Sequence, residues 1–374
     1  MQVSKQLIRI KTECFINDKA KNRKRVFLLK RILHLIISEK RSEDMKEKII
    51  ETLSATEGYI SGEELSEIFG VSRTAIWKHI NALKEEGYEI ESQTRKGYKL
   101  LKRPDALLKT EILFQLKTQR WGKEYLYTYD EVDSTNIIAK KLANEGKPEG
   151  TVVVAELQKA GKGRLGRKWV SPKGSGIWLS FILRPPMLPT NAPQLSFVIA
   201  VGMVQALKNT TGLDIKTKWP NDILIDRKKV SGILTEISAE MERINYIVVG
   251  VGVNVNQRAE DFPLEFRDKS ISLRLANQGQ SLSRVKILQG ILEEMERVYN
   301  RYLEEGFEPI LEEWKNNSIT IGEEVQVIMG EEKLNGIAID IDKDGSLLVK
   351  KNNGEVERII AGDVSLRKKG GHYA

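Results

Sequence analysis

The sequence has few of the residues that build covalent cross-links and metal centres. Among its 374 residues there is one cysteine, Cys14, and there are three histidines. A single cysteine excludes an internal disulfide framework and a cysteine-rich metal site. Three histidines scattered along the chain argue against a zinc site built from imidazoles. This residue usage fits a reducing, cytoplasmic setting.

Long apolar runs are also missing. No stretch of about 18 consecutive apolar residues occurs, which is the length that a transmembrane helix requires. The one apolar patch near the N-terminus, VFLLKRILHLII at 26–37, is interrupted by Lys30, Arg31 and His34. A secretory signal needs an uninterrupted apolar core and a cleavage site, and neither is clear here. We therefore expect no membrane association.

The excess of positive charge lies at one end of the sequence. The formal net charge is +8, and residues 1–44 hold twelve Lys/Arg and five Asp/Glu, which leaves +1 for the other 330 residues. The remainder is therefore not predicted to bind polyanions through its overall charge. Because Met45 opens a well-formed helical segment, we expect 1–44 to be an extension from a misassigned start codon, with a genuine basic arm as the alternative.

Residues 45–105 have the pattern of a winged helix-turn-helix. A capping box at Ser61–Glu64 opens one helix, Gly70 ends it, and Ser72 caps the next, in which Ile76, Ile80 and Leu83 form the inward face. An alternating hairpin follows. The residues predicted to contact DNA are Ser72, Arg73, Thr74, Trp77, Lys78 and Asn81 on the recognition helix and Arg95 and Lys96 at the hairpin tip. A small helical protein-interaction module is the alternative.

The rest of the chain predicts two further segments and an α+β fold class. Residues 106–316 alternate strand-like runs such as TVVVAELQ with long helical runs such as SRVKILQGILEEMERVYNRYLEEG. This alternation favours a central α/β domain with a mixed sheet. Residues 317–374 contain short strands separated by turn glycines, which predicts a small SH3-like β-barrel.

A basic loop, GKGRLGRKW at 161–169, raises the question of which anion it holds. Its glycines match the dinucleotide-binding spacing, but Pro172 and Gly174 break the helix that such a site requires. The phosphate-loop motif is absent too. What remains is a flexible loop whose cations and backbone N–H groups suit a phosphate, and Trp169 suggests that it folds down over its surroundings. An exposed loop without a ligand is the alternative.

Five motifs in order resemble one known family. They are DSTN (133–136), GKGRLGRKW (161–169), KWPNDIL (218–224), KKVSGILTE (228–236) and GVGVNVN (250–256). Behind a helix-turn-helix, this series resembles the biotin–protein ligases that double as repressors of the biotin operon. The likeness extends from about Met45 to Arg367. One departure is Lys162, which stands where many members have arginine, and it replaces a bidentate guanidinium by a point charge.

The resemblance implies a role for each matching residue. The implied catalytic residues are Arg164, Asp222 and Lys229. The implied biotin contacts are Ser134, Thr135, Asn136, Gln158, Lys162, Gly163, Arg164, Lys229 and Gly232. The implied contacts to ATP or the adenylate are Arg164, Arg167, Trp169, Asn221 and Asn254. Asp222 has an equally open alternative as a turn-forming residue after Pro220.

The function that the resemblance implies is a two-step ligation. Biotin and ATP, with Mg²⁺ held by the phosphates and with Asp222 as a candidate ligand, would form biotinyl-5′-AMP. The biotinyl group would then pass to a lysine of a biotin carboxyl carrier protein, as in acetyl-CoA carboxylase. The adenylate would also be the corepressor that favours a homodimer on operator DNA. The alternatives are a lipoate–protein ligase and a biotin-sensing repressor without catalytic activity.

Overall fold

The computed structural model describes residues 45–329, 332–360 and 362–366. The chain divides into two compact units, Met1–Pro104 and Asp105–Ala374. The predicted N-terminal segment 1–44 lies outside the described residues, and so does the prediction about its start. The four predicted domains stay a prediction, since the only division seen here follows Pro104.

In the first unit, three helices precede a two-stranded hairpin. The elements are α1 (45–55), α2 (Gly62–Phe69), α3 (Arg73–Glu85), β1 (Glu89–Gln93) and β2 (Gly97–Lys102). The Ser61 hydroxyl accepts a hydrogen bond from the Glu64 N–H at 3.0 Å, and the Glu64 carboxylate accepts one from the Ser61 N–H at 2.8 Å. Gly70 ends α2 with a φ of 63°, a left-handed conformation that glycine adopts without steric cost. The inward face predicted for α3 is buried.

The second unit is built on a seven-stranded sheet with the strand order β3-β4-β5-β9-β8-β7-β6. Its strands are β3 (Leu126–Val132), β4 (Val152–Gln158), β5 (Gly176–Leu183), β6 (Lys216–Lys218), β7 (Asp222–Ile225), β8 (Lys228–Ala239) and β9 (Ile244–Asn254). Its helices are α4 (Lys109–Leu113), α5 (Thr135–Asn144), α6 (Gln194–Thr211), α7 (Leu264–Arg267), α8 (Leu273–Ala276), α9 (Arg284–Glu305) and α10 (Glu308–Asn316). Strands β3 and β4 are parallel, and the other neighbouring pairs are antiparallel.

The two faces of this sheet are covered unequally. Alternation sends Val152 and Val154 of β4 into the main core, where α6 and α9 pack, and sends Val153 to the opposite face. On that opposite face, α5 packs against the sheet over β4, β5 and β9. The part formed by β8, β7 and β6 is not covered by α5 and faces a cleft, which Phe266 of the short helix α7 also lines. This uncovered part of the sheet becomes the floor of the candidate active site.

An antiparallel five-stranded sheet follows α10, with the strand order β13-β12-β11-β10-β14. Its strands are β10 (Glu324–Met329), β11 (Glu332–Ile341), β12 (Leu347–Lys350), β13 (Val356–Ile359) and β14 (Asp363–Leu366). Its Val325 and Val349 belong to the same apolar core as Trp219, whose indole N–H donates to the Gly345 carbonyl at 3.0 Å. The sheet therefore shares one core with the catalytic part of the unit. Closure of this sheet into an SH3-like barrel stays a prediction.

The longest helices of the described residues belong to the core of the second unit. Helix α6 is buried along most of its length, and α9 buries one face against it. Within the described ranges, no helix combines the length and apolar character that crossing a membrane would require.

Candidate active site and helix-turn-helix surface

A cleft of about 740 Å³ lies over the uncovered part of the seven-stranded sheet. Every residue predicted for the ligase site lines it: Ser134, Thr135, Asn136, Gln158, Lys162, Gly163, Arg164, Arg167, Trp169, Asn221, Asp222, Lys229, Gly232 and Asn254. Residues from five separate sequence motifs thus meet in one place. Their individual roles stay predictions.

One end of the cleft is lined by hydroxyl and amide groups. This neutral end consists of Ser134, Thr135, Asn136 and Gln158, with the fully buried Ser180 behind them. The Thr135 backbone N–H and hydroxyl both donate to Gln158 Oε1, at 2.9 and 3.1 Å. The fully buried Ser180 hydroxyl lies 2.7 Å from Thr135 Oγ1 and 2.5 Å from Asn136 Oδ1. These contacts fix the orientation of each side chain before any ligand arrives.

The neutral end keeps one hydroxyl without a partner. Ser134 precedes α5 and is buried, yet its side chain makes no capping bond and no other hydrogen bond to a described residue. The Asn136 amide, by contrast, donates to Glu236 at 2.6 Å, and Glu236 also pairs with Lys140 at 2.5 Å. Ser134 lines the cleft, so a ligand or water can supply the partner that this hydroxyl lacks. Ser134 is therefore suited to bind a polar ligand group.

The opposite end of the cleft carries ionised groups, and its centre is an ion pair on the sheet. This charged end consists of Arg164, Arg167, Lys218, Asp222, Lys229 and Asp363. The Lys229 ammonium on β8 lies 2.5 Å from Asp222 Oδ1 on β7 and 5.4 Å from the centre of the Trp169 ring. Lys229 is partly exposed to the cleft, with 32% of its side chain accessible. It can therefore exchange Asp222 for an anionic ligand.

Trp169 lies directly on strand β9. A Cβ atom at Gly252 would come within 2.4 Å of Trp169 Nε1, so the indole fits only because position 252 has no side chain. The buried indole N–H has no hydrogen-bond partner among the described residues. The sequence interpretation that the basic loop folds over its surroundings agrees with this packing.

The basic loop, Gly161–Trp169, contacts the C-terminal sheet. Arg164 donates to Asn221 Oδ1 at 3.1 Å and to the Gly362 carbonyl at 3.4 Å. Asp363 of β14 forms an ion pair with Arg167, and one of its oxygens lies 3.9 Å from Arg164. Both guanidinium groups thus have an internal carboxylate close by where the sequence predicts a phosphate.

Asn254 has a structural environment that the sequence did not predict. Its amide donates to the Ile271 carbonyl and its oxygen accepts from Gln257, both at 3.3 Å. These bonds hold the turn that follows β9. Its predicted contact with the adenylate stays a prediction.

Sequence reasoning missed two residues that line the cleft, Lys218 and Asp363, and one buried residue behind it, Ser180. Ser180 had a signal, because it is the one polar residue in the buried strand GIWLSFIL. Lys218 lay inside a recognised motif but was given no role, although it lines the cleft and burial lowers its pKa. Asp363 had no local signal, since only the fold brings it to Arg164 and Arg167.

The carboxylates of the cleft do not form a metal cluster. Within the described ranges, no group of three or more His, Cys, Asp or Glu is arranged to hold a metal ion. Asp222, the candidate ligand for Mg²⁺, is paired with Lys229. An Mg²⁺ ion that enters with ATP would thus take most of its ligands from the phosphates and water, as this ion commonly does.

The helix-turn-helix residues are grouped on α3 and at the hairpin tip of the first unit. Arg73, Thr74, Trp77 and Lys78 are exposed, and Asn81 is half-buried. Ser72 caps α3 by accepting from the Ala75 N–H at 3.2 Å, so its hydroxyl serves the helix. The remaining two, Arg95 and Lys96, are exposed in the turn between β1 and β2.

Comparisons with known families define the class of protein. Residues 129–254 match the Biotin/lipoate A/B protein ligase family, and residues 46–99 match an HTH domain. Residues 320–367 match the Biotin protein ligase C terminal domain. The fold and site are therefore those of a biotin/lipoate ligase with a helix-turn-helix, and the predicted fold class is confirmed.

Individual relatives narrow this class. The chain is 42% identical over 323 residues to the bifunctional ligase/repressor BirA of Bacillus subtilis, covering 86% of this chain and 98% of the relative. It is 32% identical over 320 residues to BirA of Escherichia coli, covering 86% and 96%. A biotin protein ligase from Aquifex aeolicus, solved with biotin and ATP, has 33% identity and a TM-score of 0.57, over 66% of this chain and 100% of that one. The chain belongs to the bifunctional biotin ligase/repressor family, as its motifs predicted.

Proposed function

We propose that this chain makes biotinyl-5′-AMP from biotin and ATP and transfers the biotinyl group to a lysine of a biotin carboxyl carrier protein. The observation that carries the proposal is the single cleft with a neutral end and a charged end. A molecule that is a neutral bicyclic ring at one end and a nucleotide phosphate at the other matches this polarity. The relatives' names supply the identity of that molecule.

The first step brings two anions together. The Gln158 amide, Ser134 and the α5 N-terminus would hold the ureido ring, which leaves the biotin carboxylate facing Lys229. An oxygen of the biotin carboxylate attacks the α-phosphorus of ATP. The P–O bond to the leaving pyrophosphate breaks, and a carboxyl–phosphate anhydride forms. Lys229 and Arg164 offset the negative charge that accumulates, without a covalent protein nucleophile.

The basic loop would then keep water from the anhydride. Arg164 and Arg167 can leave Asp363 and bind the adenylate phosphate, since a guanidinium binds either anion by charge-assisted hydrogen bonds. Trp169 anchors the end of the loop on the sheet, so the loop remains near the site whichever anion it binds. Exclusion of water protects a reactive acyl group until the acceptor arrives.

In the second step a carrier lysine attacks the acyl carbon and AMP leaves. The attacking amine must be neutral, so its proton has to be lost to a base or to water. Asp222 would orient the incoming amine once Lys229 turns to the phosphate, since its carboxylate lies 2.5 Å from the Lys229 ammonium.

The same adenylate would act as corepressor for a cytoplasmic homodimer on operator DNA. The recognition helix α3 presents exposed polar residues in the arrangement that a major groove accepts. A two-fold dimer would match a palindromic operator, with each α3 placed in one half-site. Supply of biotinyl-5′-AMP beyond the needs of the carrier would then reduce transcription of biotin genes.

The test is biotin-dependent exchange of pyrophosphate into ATP. We expect exchange with biotin and none with lipoate, and thermal stabilisation by biotin and ATP together that exceeds the sum of their separate effects. Mass spectrometry of a carrier domain should show addition of one biotinyl group. Exchange driven by lipoate would indicate a lipoate ligase, and absence of exchange with retained biotin binding would indicate a repressor without catalytic activity.

A further inference from the structure

A row of paired residues crosses the seven-stranded sheet beneath the cleft. Lys218 of β6 pairs with Asp222 of β7, Asp222 pairs with Gly232 of β8, and Gly232 pairs with Gly252 of β9. Residues directly opposite one another on neighbouring strands have side chains on the same face. The two glycines therefore leave a trough into which Trp169 and the Lys229 side chain pack, and the row continues to an aspartate and then a lysine.

The trough runs from the proposed biotin pocket towards the side of the cleft where the pyrophosphate would leave. Its glycine end adjoins Trp169 and leads to the neutral end of the cleft. Lys229 lies on β8, whereas Lys218 lies on β6, two strands farther from the proposed biotin pocket. With neighbouring strands about 4.8 Å apart, the backbones at these two lysines are separated by about 10 Å across the sheet. Lys218 thus lies beyond Lys229 as seen from the proposed biotin pocket.

The backbone around Lys218 is held firmly. Thr217 is fully buried and its N–H donates to the Asn317 carbonyl at 2.9 Å. Trp219 is also buried, and its N–H donates to the Thr320 hydroxyl at 3.0 Å. Because both neighbours are fixed in the core, the position from which the Lys218 side chain reaches into the cleft is set by the fold.

Lys218 has no carboxylate of its own. The nearest carboxylate in register is Asp222, which forms its ion pair with Lys229 at 2.5 Å. The Lys218 ammonium forms no ion pair or hydrogen bond with a described residue. Desolvation lowers its pKa, and Lys229 and Lys269 add to this effect, while Asp222 and Asp363 oppose it. A partly desolvated cation without a partner is suited to receive an anion from solution.

An in-line displacement needs such a cation on the far side of the α-phosphorus. The attacking oxygen and the leaving oxygen lie roughly on one line through phosphorus, so the pyrophosphate departs away from the biotin carboxylate. Along the trough that direction runs from Lys229 towards Lys218. Building on the proposed ligase function, we propose that Lys218 is a catalytic residue that binds the β- and γ-phosphates of MgATP and stabilises the leaving pyrophosphate.

The assignment predicts that only one of the two half-reactions needs Lys218. Lys218→Met should lower kcat/KM for ATP in biotin-dependent pyrophosphate exchange by about 10²-fold, the effect expected when a charge-stabilising donor is lost. Transfer from added biotinyl-5′-AMP to a carrier domain should stay unchanged, because the pyrophosphate has already left. Lys218→Arg should restore part of the exchange, since the charge is kept.

The control is Lys216→Met on the same strand. Lys216 pairs with Asp214 at 3.2 Å and does not line the cleft, so its replacement should leave both half-reactions intact. Equal losses in exchange and transfer for Lys218→Met would show a structural role and overturn the inference, as would normal exchange. Failure of the wild-type protein to exchange with biotin would instead refute the proposed function, so the two failures are distinguishable.

Discussion

The two ends of the cleft are constructed in different ways. The neutral end takes its side chains from α5, β4 and β5, which are packed elements, and most of these side chains are hydrogen-bonded to one another. The charged end takes its side chains from the basic loop, the C-terminal sheet, the short strands β6 and β7 and the start of the long strand β8. There most cations are paired with internal carboxylates, and the side chains are partly exposed.

This difference indicates two ways of preparing a site for a ligand. The neutral end is preorganised, because its donors and acceptors are fixed by one another before biotin binds. In the charged end, Asp222 and Asp363 form ion pairs with the cations that would bind a phosphate. A ligand must displace these carboxylates, so binding at this end changes which groups are paired.

The largest effect is expected from Lys229→Ala. Removing the ammonium between Asp222 and the proposed phosphate should lower formation of biotinyl-5′-AMP by about 10²-fold or more. Pyrophosphate release measures this rate. The control is Lys228→Ala, because Lys228 is the exposed neighbour on the same strand. Near-normal pyrophosphate release in Lys229→Ala would contradict the assignment.

A smaller and more selective effect is expected from Ser180→Ala. Loss of the buried hydroxyl frees Thr135 and Asn136 from their fixed orientations, and unsatisfied buried partners cost about 1–3 kcal/mol. We expect the KM for biotin to rise about tenfold while the KM for ATP stays constant. Ser196→Ala is the control, since Ser196 has only a 3.4 Å contact with Thr235. An equal rise in both KM values would show that the two ends are not independent.

Asp363→Asn tests displacement at the charged end. The change removes the carboxylate that competes with phosphate for Arg164 and Arg167, so release of biotinyl-5′-AMP should slow by a few-fold, roughly the effect of one partly exposed ion pair. Stopped-flow fluorescence of the tryptophans can follow the release. Asp340→Asn, which removes a partner of Lys315 in the same sheet, is the control. Faster release would mean that Asp363 positions the loop instead of competing with the ligand.

The smallest effect is a pH dependence confined to one end. The pKa of Lys218 is lowered chiefly by desolvation, so its ammonium loses its proton at a lower pH than a free lysine does. As the pH rises through that pKa, the charge is lost and the KM for ATP should rise, whereas the KM for biotin should change less. Lys218→Arg should abolish the rise, because arginine stays protonated. A rise that persists in this variant would assign the titration to another group.

Most elements of the fold could be predicted from local patterns. The caps at Ser61 and Ser72, the helix stop at Gly70 and the apolar period of α3 each act within a few residues, and the structure bears them out. The buried strands were recognised from continuous apolar runs. The shared core of the C-terminal sheet was not, because Trp219 and Gly345 are distant in sequence and only folding brings them together.

The site was predictable where a motif is contiguous. The basic loop and the segment around Lys229 were identified from their order along the chain, and Arg164, Trp169 and Lys229 from these segments line one cleft. Asp363 was missed because its partners precede it by almost two hundred residues. Lys218 was missed because its proposed role follows from strand register. Its pairing with Asp222 places it at the end of the row of residues that crosses the sheet beneath the cleft.

Hydrogen–deuterium exchange of residues 161–169 tests the central claim most directly, because it reports whether the basic loop closes on the adenylate. The account predicts little change with biotin alone. With biotinyl-5′-AMP, it predicts strong protection of the backbone amides between Gly161 and Trp169. Equal exchange in the presence and absence of biotinyl-5′-AMP, at saturating concentration, would contradict the claim that this loop holds the mixed anhydride.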